Sequence, residues 1–410
     1  MKKFPPGFYF GAATSSHQVE GNCVNDWSWW ERKNAQKLAD EYTAKNHDPK
    51  AEFYKYGSNP DNYISADTVD HYNLYEDDFK LAEKIGLNAY RFSIEWSRIE
   101  PDEGVWNHNN IEHYIKVIKA LRKRNIEPFV TIWHWPLPLW LSESGGIMNP
   151  RFKKYFSRYA AKLTEKFANE VKFYITINEP EIYSLNSYML GKWPPQKRGL
   201  FSYYRAINIL ADAHKSAFME IKKINPDAQI GPSCNMSYFE SAGGLLNNTV
   251  KKMADFLWNF YFINKIKPEL DFIGLNYYFH NRINYGFNKN FNNKVSDMGW
   301  ELYPSGISRI LEKLKEFKFP VYITENGLAD NADTNRAWFI HETLKEIYYS
   351  INNGVDVRGY FHWSLLDNFE WDKGFWPEFG LIHVERSTMK RTIRSSAEKY
   401  SDIIKRGLDI

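Results

Sequence analysis

The chain has 410 residues, and its 53 Lys and Arg against 50 Asp and Glu give a formal net charge of +3 at pH 7. This balance speaks against a nucleic-acid partner, and no apolar run approaches the roughly 20 residues that a membrane span requires. The start of the chain, residues 1–7, lacks the apolar segment of a signal peptide. Two cysteines, Cys23 and Cys234, cannot form a disulfide framework. We therefore expect a cytoplasmic protein that binds neither nucleic acid nor membrane.

Short runs of β-branched and aromatic residues alternate with longer stretches of helical periodicity. The short runs are nearly continuous in apolar character, which is typical of strands buried on both faces. They cover residues 7–12, 87–94, 127–133, 171–177, 229–233, 270–276, 321–324 and 357–362. Between them, apolar residues recur at helical spacing over 111–121 and 307–317, for example.

Strands that alternate with helices predict an α/β protein with a parallel sheet. A single (β/α)8 TIM barrel is favoured over an open doubly wound sheet for two reasons. No Gly-rich phosphate-binding turn follows the first strand. Chemically reactive residues follow several different strands, which suits a site at the carboxyl face of a barrel. We predict one domain, 1–410, with a polar loop insertion at about 34–65.

Two glutamates stand at the tips of predicted strands. Glu179 lies between Asn178 and Pro180, and the proline ends the strand; Glu325 precedes Asn326 and Gly327, where the glycine permits a sharp turn. Hydrolysis of a glycosidic bond with retention needs two carboxyl groups about 5 Å apart, one neutral and one ionised. From the residues alone, other acids at strand ends stay open as candidates: Glu20, Glu95, Glu181, Asp367 and Glu370.

The segments Asn-Glu-Pro at 178–180 and Thr-Glu-Asn-Gly at 324–327 resemble the acid/base and nucleophile motifs of glycoside hydrolase family 1, the β-glucosidase family. The resemblance covers essentially the whole chain, since residues 15–21, 90–99, 133–135, 276–278 and 363–371 match further motifs in the family's order. It implies a retaining exo-β-glycosidase that acts through a covalent glycosyl-enzyme intermediate. The substrates would be β-glucosides and small oligosaccharides with a terminal non-reducing β-linked glucose, galactose or fucose.

The resemblance also implies roles for the residues at matching positions. Glu179 would be the acid/base and Glu325 the nucleophile. Arg91 and Tyr278 would hold Glu325 ionised and aligned, and Asn178 would bind the 2-hydroxyl of the sugar. The other hydroxyls, the floor and the walls of the sugar site would be contacted by Gln18, His134, Trp135, Asn276, Trp300, Trp363, Glu370, Trp371 and Phe379.

Neither a metal ion nor a cofactor is expected, because no second His or acid stands at zinc spacing from His134. The substrate would be a small-molecule β-glycoside. Several positions depart from the family's pattern, among them His17, Trp133 and Pro136. Glu181 stands where an apolar residue is common, and its charge either raises the pKa of Glu179 or faces solvent. Residues 238–248 look like a shortened loop on the leaving-group side.

Three alternative functions differ in specific residues. A 6-phospho-β-glycosidase of the same family would have Ser in place of Glu370, and Lys and Tyr in place of Pro377 and Phe379. A carboxylate without that cation would repel a phosphate dianion. A catalytically silent carbohydrate-binding relative would lack one glutamate of the pair, and both are present. Glycosyl transfer to acceptors other than water uses the same residues and stays open.

Overall fold

The computed structural model describes residues 1–45 and 53–410. Eight parallel strands close into a barrel, in which each strand pairs with the next in sequence and the eighth pairs with the first. The strands are β1 (Tyr9–Ala13), β2 (Ala89–Ser93), β3 (Glu127–Trp133), β4 (Phe173–Asn178), β5 (Gln229–Ser241), β6 (Ile273–Ile283), β7 (Val321–Asn326) and β8 (Val357–Trp363). The predicted (β/α)8 fold is confirmed. A hairpin that was not predicted, β9 (Ile382–Glu385) and β10 (Lys390–Ile393), lies outside the barrel.

Helices connect the strands and cover the barrel. They are α1 (Ser16–Val19), α2 (Asp26–Lys45), α3 (Tyr54–Gly57), α4 (His71–Ile85), α5 (Trp96–Ile99), α6 (His108–Lys123), α7 (Leu139–Glu143), α8 (Phe152–Phe167), α9 (Pro180–Ser184), α10 (Leu200–Ile224), α11 (Leu245–Ala254), α12 (Tyr261–Ile266), α13 (Gly306–Leu314), α14 (Arg336–Asn352) and α15 (Ser395–Arg406). Helix α6 shows the physical logic: the Asn107 side chain accepts a hydrogen bond from the Asn110 N–H at the start, and Ile111, Ile118 and Leu121 face the core. Within the described ranges, no helix combines the length and the apolar character that a bilayer span requires.

Aromatic rings fill the interior of the barrel below its carboxyl face. Phe129 of β3 and Phe173 of β4 stack with their centroids 4.1 Å apart, and Tyr322 of β7 and Phe361 of β8 pack against Phe129 edge to face. Side chains of this size leave no open channel through the barrel, so the strand tips at the carboxyl face have a solid floor beneath them.

Two predicted boundaries are wrong: the start of the polar loop at 34 and the ends of strands β5 and β6. Residues 34–45 belong to α2 and are not a loop, because Ala35 and Ala39 are buried against Tyr63. The turn signal at 48–49 lies outside the described residues. Strands β5 and β6 run several residues past their predicted ends and pair as far as Ser241 and Ile283. The stretch 238–248 is therefore the end of β5 and the start of α11, and only 242–244 connect them.

Candidate active site

The parallel strands bring Glu179 and Glu325 to the same face of the barrel. Glu325 lies within β7, opposite Asn276 of β6 in the strand register. Glu179 directly follows β4 and adopts a left-handed backbone conformation with φ of 40° before α9 begins at Pro180. A non-glycine residue in that region is strained, which is common where a side chain must be aimed at a reaction centre. Both carboxyl groups are buried, with 5% and 4% of the residue exposed.

A pocket of about 330 Å³ opens above these two carboxyl groups. Its volume is within the range of pockets that enclose small ligands. Of the residues predicted from the sequence to form the site, those that line it are His134, Trp135, Asn178, Glu179, Tyr278, Trp300, Glu325, Trp363, Glu370, Trp371 and Phe379. The other predicted residues, Gln18, Arg91 and Asn276, are fully buried behind this wall and bond residues that form it.

Glu325 is surrounded by donors that favour its ionised form. The Arg91 guanidinium donates to Oε1, and the Tyr278 hydroxyl donates to Oε2 at 2.9 Å. Burial raises the pKa of Glu325, and the charge of Arg91 and both hydrogen bonds oppose that rise. Arg91 also donates to the Asn178 Oδ1 at 2.6 Å, so its position is fixed by a second residue of the pocket.

Glu179 has only neutral donors. Its Oε1 accepts from the Asn235 Nδ2 at 3.0 Å and from the Asn276 Nδ2 at 2.9 Å. Burial and the nearby charge of Glu325 raise the pKa of Glu179 to about 8. At pH 7 the carboxyl group is therefore mostly protonated and can donate a proton. The two carboxyl groups of the pocket thus differ in their donors, a guanidinium for Glu325 and amides for Glu179, and acid catalysis beside a carboxylate nucleophile requires such a difference.

The polar residues of the pocket hold one another in place. Gln18 Nε2 donates to the Phe369 carbonyl at 2.8 Å and to Glu370 Oε2 at 3.3 Å. His134 Nε2 lies 2.9 Å from the Asn178 Nδ2. Burial and the charge of Arg91 lower the pKa of His134 well below its usual value, so the imidazole is neutral. Its Nδ1 has no hydrogen-bond partner among the described residues and is available to a ligand hydroxyl.

Aromatic side chains form the walls. Trp363 stacks near His134 with ring centroids 5.9 Å apart, and Trp371 packs on Trp135 at 4.6 Å. On another side, Trp300 contacts Phe279 at 4.7 Å and Phe379 at 6.2 Å. Rings of this kind give flat apolar surfaces against which the C–H face of a sugar can pack.

Several lining residues were not predicted. Asn235 lies two residues beyond the predicted end of β5, so no strand-end signal marked it. The others are Ile182, Asn186, Lys192, Trp193, Phe279, Met298, Asp372 and Lys373. Lys373 places a cation near Glu370 that the motif comparison did not consider, and Lys192 is a further cation of the pocket wall. The Lys373 ammonium is bound to the Asp372 carboxylate at 2.7 Å.

Glu181 does not face solvent, so that part of its predicted alternative is wrong. It is 1% exposed, because α9 turns it into the layer between the barrel and α10. Its Oε2 accepts from the Asn235 N–H at 3.4 Å, and its Oε1 has no hydrogen-bond partner within the part of the chain that the structure describes. Burial, followed by the charge of Glu179, raises the pKa of Glu181 to about 8. The group is therefore largely uncharged at pH 7.

The remaining acids at strand ends have structural partners. Glu20 accepts from Arg98 at 2.9 Å, and Glu95 accepts from Ser97 at 2.7 Å. Asp367 lies beside Glu378 and His383, in a group whose ligand atoms are close enough for a metal ion. Arg394 already donates to both oxygens of Asp367 at 2.8 Å and to Glu378. The cation at this cluster is thus an arginine, and none of these acids lines the pocket.

Comparison with known proteins agrees with this geometry. The family model described as glycosyl hydrolase family 1 matches residues 1–263 and 262–408. Beta-glucosidase A of Thermotoga maritima is 34% identical, and the alignment covers 99% of this chain and 98% of that protein. A β-glycosidase from Pyrococcus horikoshii superposes with a TM-score of 0.87 at 34% identity, over 98% of this chain and 95% of that one. A β-glucosidase from Thermotoga maritima in complex with glucoimidazole superposes with a TM-score of 0.85 at 32% identity, over 100% of both chains.

With a family match over nearly its whole length and two buried glutamates that share one pocket, the chain belongs to glycosyl hydrolase family 1.

Proposed function

We propose that the protein is a retaining β-glycosidase of the β-glucosidase type, with Glu325 as nucleophile and Glu179 as acid/base. The observation that carries the proposal is the contrast between the donors of the two carboxyl groups. Glu325 accepts from a guanidinium, whereas Glu179 accepts only from neutral amides. A cation stabilises the ionised form far more than an amide does, so the two roles follow from the contacts.

In the first step, the Glu325 carboxylate attacks the anomeric carbon, and the bond from that carbon to the leaving oxygen breaks. Glu179 gives its proton to the leaving oxygen, so the alcohol departs neutral and a glycosyl ester remains on Glu325. The positive charge that develops on the sugar ring is met by the Glu325 charge. Asn178, which contacts Arg91 and His134, would bind the 2-hydroxyl.

In the second step, the ionised Glu179 takes a proton from water, whose oxygen attacks the anomeric carbon and displaces Glu325. The net configuration is retained because each step inverts the carbon. Loss of the negative charge on Glu325 in the intermediate removes the charge that raises the pKa of Glu179. The pKa of Glu179 therefore falls in the intermediate, and its carboxylate can act as a base near neutral pH.

The sugar that we propose is glucose in the terminal non-reducing position. The support is that the compared proteins from Thermotoga maritima are named β-glucosidases and that one of those structures holds glucoimidazole. Glu370, positioned by Gln18, would accept from hydroxyls at the far end of the sugar, and Trp363 would pack on its face. Galactose and fucose differ from glucose at few hydroxyls and are secondary candidates. The single domain and the cytoplasmic location stay predictions.

Chemical rescue tests the two roles in one experiment. Glu325→Ala should abolish turnover, and added azide should restore it with an α-glycosyl azide as product, because the anion enters from the face of the missing carboxylate. Glu179→Ala should instead give a β-glycosyl azide, since azide then attacks the glycosyl ester on Glu325. The products are assigned by the anomeric coupling in proton NMR spectra. Exchange of the two products between the variants would reverse the roles, and rescue of neither would place the reaction on other residues.

A further inference from the structure

Helix α11 exposes apolar side chains instead of burying them. Leu246 and Met253 are two helical turns apart on one face and are 59% and 57% exposed. Leu257, in the π-helical turn that directly follows α11, is exposed as well. A helix on the surface of a globular protein normally turns such a face toward the core, so this apolar stripe has no partner within the described part of the chain.

The loop after β6 adds aromatic rings to the same surface. Tyr285 is 82% exposed and Phe291 68%, and Phe287 is exposed between them. The Tyr285 N–H donates to the Asn247 Oδ1 at 2.9 Å, which fixes this loop against the first turn of α11. Leu246, Met253, Leu257, Tyr285, Phe287 and Phe291 together are called the rim patch below. Exposed aromatic and aliphatic residues on two segments that are hydrogen-bonded to each other are typical of an interaction surface.

The rim patch is strongly basic. The segments that carry α11 and the loop, 242–254 and 281–295, contain Lys251, Lys252, Arg282, Lys289 and Lys294 and no Asp or Glu. Lys251 lines a surface groove with Glu312, Glu316 and Glu346. Three other acids near these segments have partners of their own. Asp255 binds Lys313 at 2.7 Å, and Glu240 and Glu301 bind the two nitrogens of His280 at 2.9 and 2.5 Å. The cations of the patch are therefore not neutralised by those acids.

The patch lies on the same side of the molecule as the mouth of the pocket. Asn235 of β5 and Phe279 of β6 line the pocket, and both strands continue from there to Ser241 and Ile283 before α11 and the loop begin. Six residues of strand past Asn235 place the patch about 20 Å beyond the pocket wall. A surface that covers the patch would thus lie beside the entrance and not behind the barrel.

We propose that the rim patch docks the enzyme on an anionic lipid bilayer. Apolar side chains flanked by lysines fit the boundary between lipid headgroups and acyl chains, where the rings insert and the cations meet phosphate groups. A second copy of the chain fits less well, because a two-fold contact would bring the lysines of both patches together. An interfacial patch needs neither a membrane span nor a signal peptide. The sequence patterns that speak against those two features therefore do not exclude this kind of membrane contact.

Vesicle flotation tests the docking without any need for turnover. The protein is mixed with phosphatidylcholine vesicles, with or without about 30% phosphatidylglycerol, at low and high salt, and the fraction that floats gives the partition coefficient. We expect binding to the anionic vesicles, with loss as the salt concentration rises. Tyr285→Ser/Phe287→Ser/Phe291→Ser should lower the partition coefficient at least about tenfold, and Lys252→Glu/Lys289→Glu should do the same.

The matched control is Val105→Ser/Met219→Ser, which removes two exposed apolar side chains outside the rim patch and should bind vesicles like the parent. None of the altered residues lines the pocket, so turnover of a soluble aryl glucoside should be unchanged and reports correct folding. Absence of binding to anionic vesicles at low salt overturns the proposal. So does binding that neither patch variant weakens. Sedimentation tests the alternative. If the parent protein is a dimer that does not bind vesicles, and if the aromatic variant is a monomer, the patch binds a second copy of the chain instead.

Discussion

Asn235→Ala should raise the pKa of the acid/base without removing it. The Asn235 amide donates to Glu179 Oε1 at 3.0 Å, and a donor to a carboxylate stabilises the charged form. Without it, the protonated form of Glu179 is favoured more strongly. The group then stays an acid to higher pH, so the alkaline limb of the pH–rate profile moves up and not down.

The size of the shift follows from the contacts that remain. A hydrogen bond to a charged group contributes about 1.5–3 kcal/mol, and one pKa unit corresponds to about 1.4 kcal/mol, which gives about one to two units for a lone donor. Glu179 keeps a second donor on the same oxygen, the Asn276 amide at 2.9 Å. We therefore expect about one unit. The pKa is raised to about 8 in the parent protein, so the limb should move to about 9.

The assay is kcat/KM for an aryl β-glucoside as a function of pH, which reports the ionisation of the free enzyme. Asn186→Ala is the matched control, because Asn186 lines the same pocket but donates to the Ile182 carbonyl and not to Glu179. Its profile should keep the parent's limbs. An alkaline limb that stays in place in Asn235→Ala, with KM raised, would refute the reasoning and make Asn235 a substrate contact only.

Two further predictions concern the other buried glutamates. The pKa of Glu181 is raised from 4.5 to about 8, so its stabilising contribution is complete below about pH 4.5 and is lost as the pH rises through about 8. Glu181→Gln should therefore raise Tm relative to the parent more at about pH 9 than at about pH 6, and a difference that does not grow with pH would contradict this. Glu370→Ser should lower kcat/KM for plain glucosides roughly 10- to 200-fold. Burial and the charge of Asp372 raise the pKa of Glu370 to about 8, so any gain for 6-phosphoglycosides should be larger above that pH; a parent enzyme that already prefers phosphorylated substrates would refute this role.

The strand tips could be predicted because local signals mark them. A β-branched run stops at Pro180 after Glu179 and turns at Gly327 after Glu325, and neither signal depends on the rest of the fold. Asn235 carries no such mark. Strand β5 continues past it because β6 pairs with it as far as Ser241, and pairing between strands forty residues apart is not visible in a local pattern.

Helix α2 was missed for a related reason. Its exposed residues from Arg32 to Glu41 are all polar and its buried residues there are small alanines, so the stretch from 34 onward resembles a loop. What stabilises the helix is tertiary: Ala35 and Ala39, one turn apart, pack on Tyr63 from beyond the next helix. The rim patch is the opposite case, because α11 leaves Leu246 and Met253 exposed on one face.

The charge states of the site depend on donors that come from other strands, and for that reason they could not be assigned from motifs alone. Glu325, Glu179 and Glu181 are the same residue type in comparable burial. Arg91, from β2, reaches Glu325, whereas Glu179 receives amides from β5 and β6, and Glu181 receives one long backbone contact. The charge of Arg91 opposes the rise that burial causes in the pKa of Glu325, whereas the neutral donors leave the pKa values of Glu179 and Glu181 at about 8. Transfer of Arg91 to the Glu179 side would therefore lower the pKa of Glu179 and raise that of Glu325, even though both sequence motifs were intact.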